Sequence, residues 1–205
     1  MTIKDNTLVP IVIEKEANGY ERSYDIYSRL LKDFIVFVTG PIDMGVANTF
    51  IAQMLFLESQ DPTRDISIYI NSPGGEVYAG TAMYDTIKHV KNEVVTINVG
   101  LAASAASLLL ASGTKGKRFA LPNTYSLIHQ PLTGGISGQA TDIEIEAKHM
   151  VKLKHQFARI IAENTGKTLE QTLKDMERDY WMTAEETKEY GLVDKVMEPK
   201  KKGSK

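Results

Sequence analysis

The sequence predicts an α/β fold with a largely parallel sheet, and three observations carry that prediction. Runs rich in β-branched and aromatic residues recur at 34–38 (FIVFV), 66–70 (ISIYI), 94–99 (VVTINV) and 125–128 (YSLI). Helical patterns lie between them: 46–58 spaces Phe50, Ile51, Met54, Leu55 and Leu57 along one face, and 77–90 does the same with Met83, Tyr84, Ile87 and Val90. Glycine-bearing turns follow the strand runs, as in SPGG after residue 70. Alternating strand and helix favours parallel pairing with right-handed crossovers, and such sheets usually hold their chemistry in loops at the carboxyl ends of the strands.

Taken in order, the first 23 residues carry Lys4 and Asp5, a short apolar stretch at 8–13 and no small-residue cleavage pattern, so no secretory signal is read. Residues 94–114 contain no charge and are long enough to count as a membrane-span candidate. Asn98, Gly100, Ser104, Ser107 and Ser112 interrupt that run, and its β-branched first part gives way to AASAASLLLAS, which points to a buried strand turning into a buried helix. After His129 the segment QPLTGGISGQATD reads as a loop, and a charged amphipathic helix follows over 142–163. Its apolar positions Ile143, Met150, Leu153, Phe157, Ile160 and Ile161 need a cover that few remaining elements can give, so self-association is expected. A stop at Gly166, helices over 169–176 and 184–190, a short LVDKVM strand and a polar PKKKGSK tail complete the chain.

Composition narrows the function. Of 205 residues, 24 are Lys or Arg and 26 are Asp or Glu, a formal charge of −2 that gives no basic excess for nucleic acid. There is no cysteine, which removes disulfides, thiolate metal sites and cysteine nucleophiles and suits a reducing, cytoplasmic compartment. No G-x-G-x-x-G follows a strand, and GTKGKR lacks the spacing of a phosphate-binding loop. One Glu-x-x-His (Glu146, His149) is too little for a di-metal bundle site, so no metal or cofactor is expected.

What remains points to acyl chemistry. Ser104 falls where a strand becomes a helix, near unpaired amide donors, which suits a nucleophile and the oxyanion its attack creates. The amides of Ala105 and of Gly75 in SPGG are the candidate donors; a helix N-cap and a plain turn are the competing structural readings. Of four histidines only His129 stands at the end of an apolar strand, which makes it the candidate base, whereas His89, His149 and His155 lie in charged helices. A carboxylate should orient that base, but Asp65, Asp85, Asp142, Asp175, Asp179 and Asp194 cannot be told apart by composition or spacing.

Taken together, NSPGGEV, GLAAS, KGKRFALPN, IHQP, GQATDIEIEA, ERDYWM and EYGLVDKV resemble, in that order, the proteolytic subunit of the Clp protease (the ClpP family) over nearly the whole chain. The resemblance implies a crotonase-like α/β fold whose protruding long helix stacks two seven-membered rings into a closed barrel. It implies Ser104 as nucleophile, His129 as base, Asp179 as the third member, Gly75 and Ala105 as oxyanion donors, and Arg178 in ring-to-ring contacts. It further implies that a hexameric ATP-dependent unfoldase, which alone uses ATP, feeds unfolded polypeptides to the chamber; Tyr69 fits the family's hydrophobic docking pocket. Residues 1–18 then correspond to a self-cleaved leader (1–6) and an axial-loop segment, 19–198 to the peptidase domain and 199–205 to a tail.

Two departures stand out. The family's usual Met-Gly after the nucleophile is Ala105-Ala106 here, and GGISG is about one residue longer than the typical loop. If a glycine at 106 served positive φ or close packing, alanine would cost on the order of 1 kcal/mol and shift the nucleophile. The alternative is therefore a weakly active structural ring subunit that supports a catalytic paralogue. A third reading keeps the fold and uses the oxyanion amides for acyl-CoA hydratase or isomerase chemistry; the Ser, His, Asp set counts against it.

Overall fold

The computed structural model describes residues 8–15 and 19–198. The expected leader (1–6), parts of the axial-loop segment and the tail lie outside the described residues. Strands β1 (Ile11–Lys15) and β2 (Glu21–Asp25) form an antiparallel hairpin that sequence patterning did not predict. It leads into α1 (Ile26–Leu31), where Asp25 caps the helix by accepting from the Ser28 amide at 3.0 Å.

The core begins at β3 (Ile35–Thr39), followed by α2 (Met44–Gln60), β4 (Ile66–Ser72), α3 (Val77–His89) and β5 (Val94–Ala103). All neighbouring strands in the order β3-β4-β5 run parallel, as the alternating pattern predicts. Ile66, Ile68 and Ile70 alternate inward along β4 and meet Phe50, Met54 and Leu57 of α2 and Met83 and Ile87 of α3 in one continuous core. Each such fully buried side chain is worth roughly 1.5–3 kcal/mol relative to exposure. Leu55 of α2, placed on the apolar stripe by its spacing, instead points outward and is exposed.

The run at 94–114 resolves as expected into a strand and a helix. All eight residues of α4 (Ala105–Ser112) are buried, which explains its lack of charge without a membrane. No helix among the described residues is long and apolar enough to span one.

β5 changes partners along its length. Its first half pairs with β6 (Arg118–Ala120) and its end pairs with β7 (Tyr125–Ile128), both parallel. The fork is pinned by buried Asn98, which accepts from the Gly100 amide at 3.1 Å and donates to the Tyr125 carbonyl at 2.9 Å. Asn71 of β4 closes the same gap by accepting from the Leu101 amide at 3.1 Å.

The long helix α5 (Ala140–Thr165) ends at Gly166, whose φ of 79° is the left-handed stop that glycine supplies. Leu153, Phe157, Ile160 and Ile161 are buried in the subunit, but residues 140–148 are exposed on every face, with Ile145 at 58%. The helix thus protrudes at its N-terminal half. It is followed by α6 (Leu169–Asp175), β8 (Tyr180–Thr183), α7 (Ala184–Tyr190) and β9 (Lys195–Val196). β8, which the sequence reading left unassigned, pairs antiparallel with β7 and extends the sheet.

Arg118 and Asp194 lock β6, the start of β9 and the end of α5 together. The guanidinium, almost wholly buried, donates to both Asp194 carboxylate oxygens at 3.0 and 2.6 Å and to the Asn164 carbonyl at 2.9 Å. That last bond satisfies an orphan carbonyl in the final turn of α5.

Candidate active site

Three neighbouring strands deliver the three candidate side chains at one end of the sheet. Ala103 of β5 lies opposite Leu127 of β7, and Ile128 of β7 lies opposite Tyr180 of β8. Ser104 is one residue past the first register, His129 one past the second, and Asp179 one before β8. Their proximity follows from backbone pairing alone, and the Ser104 amide continues that pairing by donating to the Leu127 carbonyl at 2.9 Å.

The side chains complete a chain of hydrogen bonds. Ser104 Oγ lies 2.8 Å from His129 Nε2, and His129 Nδ1 lies 3.2 Å from Asp179 Oδ1. With the proton on Nδ1 donated to the carboxylate, Nε2 is free to accept from the serine hydroxyl. The imidazole is mostly buried, whereas the Asp179 side chain is 62% exposed. Of the five other aspartates that spacing could not separate, three are committed elsewhere: Asp65 to Lys117, Asp175 to the Tyr190 hydroxyl, Asp194 to Arg118.

Ser104 holds φ 55° and ψ −123° at the N-cap of α4, a conformation that side-chain-bearing residues seldom adopt. The sharp strand-to-helix turn pushes the hydroxyl out of the sheet toward His129, and the first amides of α4 have no partner within the helix. Sequence placed the serine here but carried no signal for the strained backbone.

The SPGG turn wraps the same point. Ile42 accepts from the Glu76 amide at 2.8 Å and donates to the Gly74 carbonyl at 2.9 Å, a pairing that leaves the intervening Gly75 N–H for another acceptor. Gly74 has φ +85°, and a Cβ there would sit 2.5 Å from the Ala103 carbonyl oxygen, 2.7 Å from Ser104 Cβ and 2.9 Å from the Ala105 nitrogen. Both features exclude a side chain. A Gly74→Ala variant is therefore expected to push the turn and Ser104 apart by a few tenths of an ångström or more. Labelling of Ser104 by a fluorophosphonate should then slow by about 100-fold in an otherwise folded protein.

The departure after the nucleophile carries no backbone strain. Ala106 lies inside α4, is fully buried and is not among the described residues with positive φ; that burden falls on Ser104. The Ala105 side chain packs at Gly80 of α3, where an added Cβ would come within 2.7 Å of it.

The family model for the Clp protease matches residues 18–200. The chain belongs to the Clp protease family. Its mixed sheet and long α5 accord with the crotonase-like fold of that family, whose members are typically serine peptidases. The Clp protease match covers the site segments from SPGG to ERD, including Arg178, which lies exposed on the turn between α6 and β8. It also covers the half-buried Tyr69, stacked on Phe37 at 5.3 Å, with Tyr27 of α1 edge-on to the same Phe37 ring at 5.6 Å. Among the described residues no cluster of three or more His, Asp or Glu side chains could hold a metal.

Proposed function

We propose that this Clp protease chain is a self-compartmentalised serine endopeptidase that cleaves unfolded polypeptides and short peptides. The observation that carries the reading is the 2.8 Å contact between Ser104 Oγ and His129 Nε2 on a strained turn at the N-terminus of α4. Ser104 Oγ attacks the peptide carbonyl carbon while His129 Nε2 takes its proton. The amides of Gly75 and Ala105 hold the oxyanion, and Asp179 stabilises the imidazolium. His129 then passes the proton to the leaving amine, leaving an acyl-serine ester that water hydrolyses with the same histidine as base.

The exposed first half of α5 supports stacking of two seven-membered rings, with Arg178 in the ring-to-ring contact. An ATP-dependent hexameric unfoldase would deliver folded substrates and dock at the aromatic face around Tyr69. Native mass spectrometry is expected to give a species of fourteen subunits; a monomer at all concentrations would overturn the assembly. The weakly active subunit that supports a paralogue remains the second reading, favoured by the exposure of Asp179 and its longer contact with His129.

Fluorophosphonate labelling of the assembled protein, with the modified residue located by mass spectrometry, tests the chemistry. Modification at Ser104 is the expected result. An assembled ring that takes up no probe would favour the structural-subunit reading.

A further inference from the structure

We infer that Tyr78 and His149 form a clasp that seats the uncovered half of α5 on the first turn of α3 and so sets the position of the Gly75 amide; this rests on the serine-peptidase reading. The Tyr78 hydroxyl lies 2.6 Å from His149 Nε2, and the two rings are stacked at 6.3 Å with planes 20° apart. A hydrogen bond plus a ring contact fixes both the separation and the orientation of the two helices at this point.

Position gives the pair its consequence. Tyr78 stands three residues after Gly75, in the first turn of a helix whose N-cap, Glu76, makes no side-chain capping bond. The start of α3 is thus held by the Ile42 pairing and by what touches its first turn. On α5, residues 140–148 are exposed on every face, and His149 is where the helix first meets the body of the subunit. The next hydrogen-bonded links between the two helices among the described residues are from Asn164 to the Tyr84 hydroxyl and from Lys88 to Asn164, roughly 22 Å further along α5 at 1.5 Å per residue. Without the clasp, the residues of α5 before Leu153, the first of that helix to be buried in the subunit, keep no hydrogen-bonded tie to α3 among the described residues. The same α3 packs through Gly80 against Ala105, so a shift of its first turns reaches both oxyanion donors. Tyr78 and His149 touch neither substrate nor the reacting atoms; they are positioning residues.

The test uses the full chain in its assembled form and a short fluorogenic peptide. Tyr78→Phe and His149→Phe, which keep a ring but lose the hydrogen bond, are each expected to lower kcat about tenfold with KM unchanged. The double variant is expected to be no worse than either single one, and His149→Gln, which keeps a polar partner for the hydroxyl, to recover most of the rate. Hydrogen exchange across residues 140–150 should quicken in the Phe variants alone. Unchanged kcat, or single effects that multiply in the double variant, would overturn the clasp. A wild-type ring in which Ser104 neither labels nor turns over peptide would instead remove the peptidase reading on which the clasp rests.

Discussion

In a Ser104→Ala variant, peptide hydrolysis by the assembled protein is expected to fall by about 10⁵- to 10⁶-fold, the size of effect seen when a triad serine is removed from an otherwise intact site. Alanine keeps the Cβ and the strained backbone, and among the described residues the only polar contact it deletes is the one from Oγ to His129 Nε2. Assembly and melting temperature should therefore stay close to those of the wild type, which separates loss of chemistry from loss of fold. The residual rate would come from the Gly75 and Ala105 amides acting on a water-attacked carbonyl. A variant that retained peptidase activity would require another nucleophile, and one that turned over an acyl-CoA would bring back hydratase or isomerase chemistry on this fold.

The second large effect is on stability. Asp194→Ala is expected to destabilise the subunit by about 3–5 kcal/mol, because it leaves the almost fully buried Arg118 guanidinium without its carboxylate. For a chain of this length that corresponds to a melting point lower by about 10 °C. The pair also predicts acid sensitivity. Burial pushes the Asp194 carboxyl up, but the hydrogen bonds it accepts from Arg118 and from the Gly116 amide outweigh burial and hold it below the usual carboxylate range. A depressed folded-state pKa contributes stability that is present above the unfolded value of about 3.9 and is lost as pH falls through the folded one. Thermal melts of wild type and Asp194→Asn below about pH 4 should converge; melts that stay parallel there would remove this carboxylate from the acid response.

Much of the frame was legible because it is written in local pattern. YSLI, bounded by Asn123 and Pro131, matches β7 residue for residue, and the Ala184–Tyr190 helix has its capping box in place, Thr183 with Glu186. What escaped depended on pairing between distant segments. Tyr180–Thr183 is four residues long and follows a charged ERD, so nothing local marks it as the antiparallel partner of β7. For the same reason six aspartates could not be separated: Asp179 is selected by the register of β8 against β7, which no spacing along the chain reveals. The strain at Ser104 was invisible because a serine before an alanine-rich helix looks like an ordinary cap.

Because adjacent strands carry Ser104, His129 and Asp179 in fixed register, the site depends on the length of those strands as well as on the three side chains themselves. One residue inserted within β7 would turn His129 to the opposite face of the sheet and break the alignment of all three groups. The segment after His129 is under no such constraint. Residues 132–139 are exposed and belong to no strand, so a residue added there would lengthen a surface connection and leave the strand registers upstream untouched. Insertions and deletions among relatives should accordingly collect between His129 and α5 and be absent within β5, β7 and β8.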